Sequence, residues 1–223
     1  GLLKKLFNNT LEKLHFEKNM IVSVESPEGE VIKLRKPVEA GHNQGAIQVE
    51  NWLKQLEAEL KETLKSELFE VLENSKLQSN LGSLSSQVLS IFQWIQFTKQ
   101  VEDAIKKSHL KSVRGDLSNQ IVQLTSSERT VQDTIAQIKL KSMILDVIHF
   151  LTVIEELIED NVNNIEDWRW KKQLRYYADK GHNKVRICMG IASTDYSFEY
   201  IGCYGSAKLV HTPLTDKCFL VCM

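Results

Sequence analysis

Proline and glycine are scarce in this chain: three and ten among 223 residues. The glycines are spaced apart, with no sign of repeats or low complexity, so long uninterrupted elements, above all helices, are favoured. A surplus of positive charge is missing too. The 28 Lys and Arg against 29 Asp and Glu leave a net charge of −1. That argues against a dedicated nucleic-acid binder, which needs excess cations to neutralise phosphates. Long apolar runs are absent. The best stretch, 143–158, is broken by Asp146, His149, Glu155 and Glu156, well short of the roughly 20 apolar residues that cross a bilayer. No secretory signal opens the chain. It starts at Gly1 rather than Met, which points to a piece of something longer.

The four cysteines all lie near the end, at 188, 203, 218 and 222. Without a leader, such clustering favours reduced thiols in the cytosol. A zinc site built from Cys203, His211, Cys218 and Cys222 matches no common finger spacing, so no metal site is expected. What is present is the composition of a globular chain, 42% hydrophobic and 26% charged, which supports a real core.

Met20 to Val24 and Val31 to Leu34 are β-branched runs around Ser26-Pro27-Glu28-Gly29. Proline at the second turn position and glycine at the fourth suit a type I turn with a bulge, so a β-hairpin is expected over about 20–34. A loop with Pro37, Gly41 and Gly45 follows. Helices are then expected over about 49–72, 84–107, 117–160 and 167–178. In the first, Trp52, Leu56, Leu60, Leu64, Leu68 and Leu72 recur every four residues. That stripe drifts about 40° per step round the helix. It touches different neighbours at its two ends and favours an elongated bundle over a compact one. Within the third, Thr125 to Glu128 has capping-box spacing that permits a restart, and 139–142 weakens the stripe enough for a bend.

In the fourth, Trp170, Leu174 and Tyr177 share one helical face, with Arg169, Lys172 and Arg175 on another. A basic, aromatic helix is one way to stack on nucleic acid; packing its aromatics on a neighbouring helix is the simpler reading. After Gly181 the period becomes two. Residues 185–192 read as a strand with Val185, Ile187, Met189 and Ile191 on one side, and 198–202 as a second. Both are expected to leave open edges.

No phosphate loop of the form G-x-x-x-x-G-K-[ST], no H-E-x-x-H and no G-x-S-x-G occurs. The six histidines are scattered, and His149 reads as a packing residue on an apolar helix. Glu155, Glu156, Glu159 and Asp160 read as a solvated face. The residues alone therefore support no self-contained enzyme and no catalytic set.

Three ordered motifs carry a resemblance. Trp168-x-Trp170-x-x-Gln173-Leu174-Arg175-Tyr176-Tyr177 resembles the motif that ends the linker of dynein heavy chains. Tyr196-Ser197-Phe198-Glu199-Tyr200-Ile201-Gly202 resembles that family's Tyr-x-x-Glu-Tyr-Leu-Gly signature. Leu209-Val210-His211-Thr212-Pro213-Leu214-Thr215-Asp216-Lys217-Cys218-Phe219 resembles its Leu-Val-x-Thr-Pro-Leu-Thr-Asp-Arg-Cys-Tyr run. Earlier, Ser26-Pro27-Glu28-Gly29-Glu30 and Val49-Glu50-Asn51-Trp52-Leu53 are similar to a hairpin and a helix start of the family. The hairpin leans towards the axonemal type.

The resemblance implies a mainly α chain. Residues 1–180 become the C-terminal part of the linker rod, and 183–223 a truncated β-rich start of the first AAA+ α/β module. Trp168, Trp170, Gln173, Leu174, Arg175 and Tyr176 become the linker–ring junction. Leu209, Val210, Thr212, Pro213 and Leu214 fall on the adenine side of the first nucleotide site. The parent it implies is an ATP- and magnesium-dependent microtubule motor of cytoplasm and cytoskeleton, in a cilium or flagellar axoneme. Its partners are the rest of the ring, microtubules, and dynein intermediate and light chains, with neither nucleic acid nor membrane. Two departures stand out: Cys203 replaces a frequent Asn, and no phosphate loop follows Cys218. The chain alone is therefore expected to hold no nucleotide tightly and to hydrolyse none. The alternative reading is a non-catalytic helical interaction module, or a truncated product that only binds dynein partners.

Overall fold

The computed structural model describes residues 7, 9–40, 45–74, 83–203 and 218, and of 45–50 the backbone alone. The fold is mixed, mainly helical with two small antiparallel sheets. Its elements run β1 (Lys13–Glu17), β2 (Met20–Glu25), β3 (Val31–Glu39), α1 (Gly45–Glu73), α2 (Ser86–Lys107), α3 (Leu110–Thr130), α4 (Thr134–Glu159), α5 (Trp168–Lys171), β4 (Arg175–Asp179), β5 (Lys184–Met189) and β6 (Ala192–Asp195). They divide into two compact units. One comprises the described residues of Gly1–Leu89 and Ser197–Ser206, the other those of Ser90–Tyr196 and Ala207–Met223.

In the first unit the expected hairpin is β2–β3. Ser26 O accepts from Gly29 N at 3.0 Å, and Gly29 holds φ 93°, a conformation few other residues tolerate. The sequence reading missed β1, which pairs antiparallel with β2 to complete a three-stranded sheet. The signal was absent: Phe16 is half exposed, and β1 buries no side chain fully. β3 also runs on into the expected loop. Pro37 is accommodated because β3 is an edge strand whose register slips opposite Ile21 to Ser23. The sheet buries Ile21, Val24, Ile32 and Leu34, and α1 buries Leu56, Leu60, Leu64 and Leu68. Each such side chain contributes roughly 1.5–3 kcal/mol by leaving water.

Three further expectations are corrected, two in the second unit and one in the Ser197–Ser206 part of the first. The helix expected over about 117–160 is two helices, broken at 131–133 rather than bent at 139–142. The restart signal is Asp133, whose carboxylate accepts from Ala136 N at 2.7 Å; Thr125 to Glu128 lie inside α3. The helix expected over about 167–178 stops at Lys171, and Arg175–Asp179 is strand β4. Aromatic and cationic residues at i, i+4 and i+7 fit a helix face, but Arg175 to Asp179 is taken up by five cross-strand pairs with β5. Lastly, 198–202 is not a strand, and Phe198 has φ 56°.

The open edge expected at 185–192 is therefore closed. β5 pairs with β4 on one side and β6 on the other. Ile191 belongs to the two-residue turn between Met189 and Ala192 and is 90% exposed. Gly190 supplies the positive φ, 57°, that such a turn needs at its first position.

Candidate functional site

Two of the expected junction residues, Trp170 and Tyr176, fasten to one helix. In α2, Trp94, Thr98 and Glu102 recur every four residues and so share a face. Each takes up a different part of the 168–177 segment. Asp167 starts that segment by capping α5, its carboxylate accepting from Arg169 N at 2.9 Å. The single turn turns Trp170 inward, where no part of it reaches solvent. Its ring stands edge-on to Phe97 at 6.3 Å, and Phe97 stacks on Phe150 at 4.0 Å. The indole N–H donates to Glu102 Oε1 at 3.3 Å.

Strand β4 is fastened next. Tyr176 N donates to Thr98 Oγ1 at 3.0 Å, and the Tyr176 ring lies 5.5 Å from that of Trp94. One residue on, alternation sends Tyr177 to the opposite face of the sheet. Its hydroxyl donates to Glu102 Oε1 at 2.6 Å and accepts from Arg175 Nη1 at 3.2 Å. Burial raises the Tyr177 phenol well above its ordinary range, and the hydrogen bond to Glu102 adds to this. Burial does the same for Tyr176. Both phenols stay neutral across the physiological range.

Of the six expected junction residues, Trp170, Arg175 and Tyr176 are held inside this arrangement, and Leu174 packs against the same core. The Gln173 carbonyl accepts from Arg175 Nε at 3.3 Å. Trp168 is 55% exposed and stands outside it. The basic face read from Arg169, Lys172 and Arg175 does not form. Arg169 pairs with Asp160, Lys172 with Glu156, and Arg175 is buried. His149 packs its ring 5.6 Å from Trp94.

A second cluster lies in the other unit, around Glu30 beside the hairpin turn. This carboxyl is 3% exposed. Its Oε1 accepts from Ser86 N at 2.8 Å and Ser86 Oγ at 2.7 Å, and its Oε2 from Tyr200 OH at 3.4 Å. Gln87 holds the same late segment by its backbone, donating to Glu199 O at 2.8 Å and accepting from Ile201 N at 3.1 Å. Burial, with the Glu30 charge beside it, raises the Tyr200 phenol. Cys203 Sγ lies 3.2 Å from Ser86 Oγ. Glu30 thus sits at the start of α2, where a negative charge meets unpaired backbone N–H groups.

Sequence reasoning missed Glu102, Thr98 and Glu30 as fastening residues. For the first two a signal existed: polar residues on a face otherwise marked by Trp94, Phe97, Val101 and Ile105. The adenine-side residues Leu209, Val210, Thr212, Pro213 and Leu214 lie outside the described residues, as do His211 and Cys222 of the zinc reading. Among the described residues no group of three His, Cys, Asp or Glu is placed to hold a metal. No described helix is long and apolar enough to cross a membrane.

Residues 1–71 match the family described as Dynein heavy chain, N-terminal region 2. Curated relatives extend the match to 98% of this chain. They include cytoplasmic dynein 2 heavy chain 1 from Tripneustes gratilla, 38% identical over 232 residues, and from Homo sapiens, 36% identical over 232. The chain belongs to the dynein heavy-chain family. A flagellar inner-arm relative, the dynein-1-beta heavy chain of Chlamydomonas reinhardtii, is 29% identical over 89% of the chain. The lean towards the axonemal type is thus met by higher identity to cytoplasmic dynein 2 heavy chains. The chain spans about 5% of the length of these dynein 2 relatives.

Proposed function

We propose that this chain is the C-terminal part of a dynein linker together with the start of the first AAA+ module. In that reading its helical part is a rod that turns nucleotide-dependent changes of the motor ring into movement along a microtubule. The observation that carries the reading is a dynein heavy-chain match along 98% of the chain, which takes in all three ordered motifs. The fastening of 168–177 to α2 supports it mechanically. A force-bearing junction needs its strand tied to the helix by more than one kind of contact. Here an indole N–H, a backbone N–H and a phenol all end on Thr98 and Glu102.

Chemistry belongs to the parent in this reading. ATP and magnesium bind in the parent's ring, where Leu209, Val210, Thr212, Pro213 and Leu214 contribute part of the wall against adenine. Partners are the remaining ring, microtubules, and intermediate and light chains, in the cytoskeleton and in particular the cilium. The test is Trp170→Ala in a full-length heavy chain carrying this segment. Microtubule gliding should slow sharply while basal ATPase persists. Unchanged gliding refutes the linker assignment, and ATP hydrolysis by the purified 223-residue chain refutes its non-catalytic role.

A further inference from the structure

The face of the second sheet that carries Arg175 and Tyr177 is polar and hollow. A cavity of about 500 Å³ opens there, lined among others by Arg175, Tyr177, Asp179, Lys184, Arg186 and Asp195. Cross-strand register explains the grouping. Tyr177 is opposite Arg186, Asp179 opposite Lys184, and Arg186 opposite Asp195. Arg175 is opposite Cys188, which makes Arg175 and Arg186 diagonal neighbours on one face.

The charges on this face are unequally matched. Lys184 pairs with Asp195 at 3.1 Å, and Asp179 shares a hydrogen bond of 2.7 Å with the His182 ring. Arg175 and Arg186 have no carboxylate within 4.0 Å among the described residues. Arg175 is only 7% exposed. Its Nε donates to Gln173 O and its Nη1 to Tyr177 OH, and its Cζ lies 5.9 Å from the Tyr177 ring centroid. A guanidinium carries five N–H donors in a rigid fork. Arg175 is thus a buried, oriented cation with donors to spare at the wall of a cavity, and Arg186 is a second, exposed one beside it.

We infer that this cavity is a docking site for an acidic, extended polypeptide segment, whose carboxylates bridge Arg175 and Arg186. Paired guanidiniums recognise carboxylates through bidentate hydrogen bonds. Three features favour a peptide carboxylate over phosphate. Asp179 and Asp195 flank the arginines and oppose a dianion more strongly than a monoanion. The cavity holds several side chains rather than one oxyanion. And β6, exposed along its whole length, is an edge strand with β5 as its one partner among the described residues, so an extended segment has backbone to pair with. The inference stands on this unit's own geometry and not on the linker reading.

The test uses the 223-residue chain, 15N-labelled, titrated with N-acetyl tetraglutamate amide at low salt and followed through the arginine Nε–H resonances. The Arg175 and Arg186 signals should shift saturably. Arg186→Gln, an exposed position, should weaken binding about ten-fold with an unaltered melting temperature. Lys111→Gln, exposed on α3, should leave binding unchanged. Arg175→Lys keeps the charge but not the fork and should weaken binding as well; if that variant does not fold, Arg186→Gln decides alone. No saturable shift, or equal affinity in Arg186→Gln, overturns the site. Tighter binding of inorganic phosphate than of the peptide overturns its assignment to a carboxylate-bearing partner.

Discussion

Replacing Trp170 with alanine removes the central side chain of the second unit's core. The indole is fully buried against Phe97, with Phe150 stacked behind. Burial loss plus the cavity left behind costs about 3–5 kcal/mol for a Trp→Ala change. The lost hydrogen bond adds little. At 3.3 Å it is long, and Glu102 keeps the shorter bond from Tyr177 at 2.6 Å, so no buried acceptor is orphaned. Trp170→Phe then separates the two contributions. It keeps much of the ring area and loses only the N–H and part of the volume, so roughly 1–2 kcal/mol is expected. Against a domain stability of about 5–15 kcal/mol, the alanine loss is large. Urea denaturation followed by circular dichroism gives both values. Hydrogen exchange adds location: amides of α3, α4 and β4–β6 should lose protection in Trp170→Ala, while those of β1–β3 keep theirs. A Trp170→Ala loss below about 1 kcal/mol, or a Phe variant as damaged as the Ala one, refutes the argument.

Three further outcomes follow from the same geometry. Glu30→Gln should destabilise the chain by about 1–2 kcal/mol, since the charge at the start of α2 is lost while an acceptor remains; a variant as stable as wild type in urea refutes this. The phenols of Tyr176, Tyr177 and Tyr200 are all raised in the folded state, so the unfolded chain releases these protons first. Their contribution to stability is complete below about pH 10, the ordinary tyrosine value, and is lost as pH climbs towards their folded-state values. Absorbance at 295 nm should show these phenolates appearing late, together with unfolding, and a single step near pH 10 for all five tyrosines contradicts it. Deleting residues 183–223 should lower solubility, because it strips β4 of its partner β5; a more soluble product restores the open-edge expectation drawn from the sequence.

Sequence patterning was enough wherever a segment's partner was itself. Leu56, Leu60, Leu64 and Leu68 place α1, and Trp94, Phe97 and Val101 place the apolar side of α2, because helical hydrogen bonds are local and burial repeats with the turn. The Pro27–Gly29 turn was legible for the same reason, its bond closing between residues 26 and 29. The family, too, was readable in the ordered motifs alone. Tertiary structure decided what depends on distant partners. Residues 175–179 satisfy a helical pattern equally well, and only the five pairs with β5 make them a strand. Glu30, Ser86 and Tyr200 are joined across sequence separations of 56 and 170, and nothing in the neighbourhood of any of them announces the others. Arg175 and Arg186 became neighbours in the same way. Their diagonal placement is a property of cross-strand register, which two separate segments acquire only when they pair.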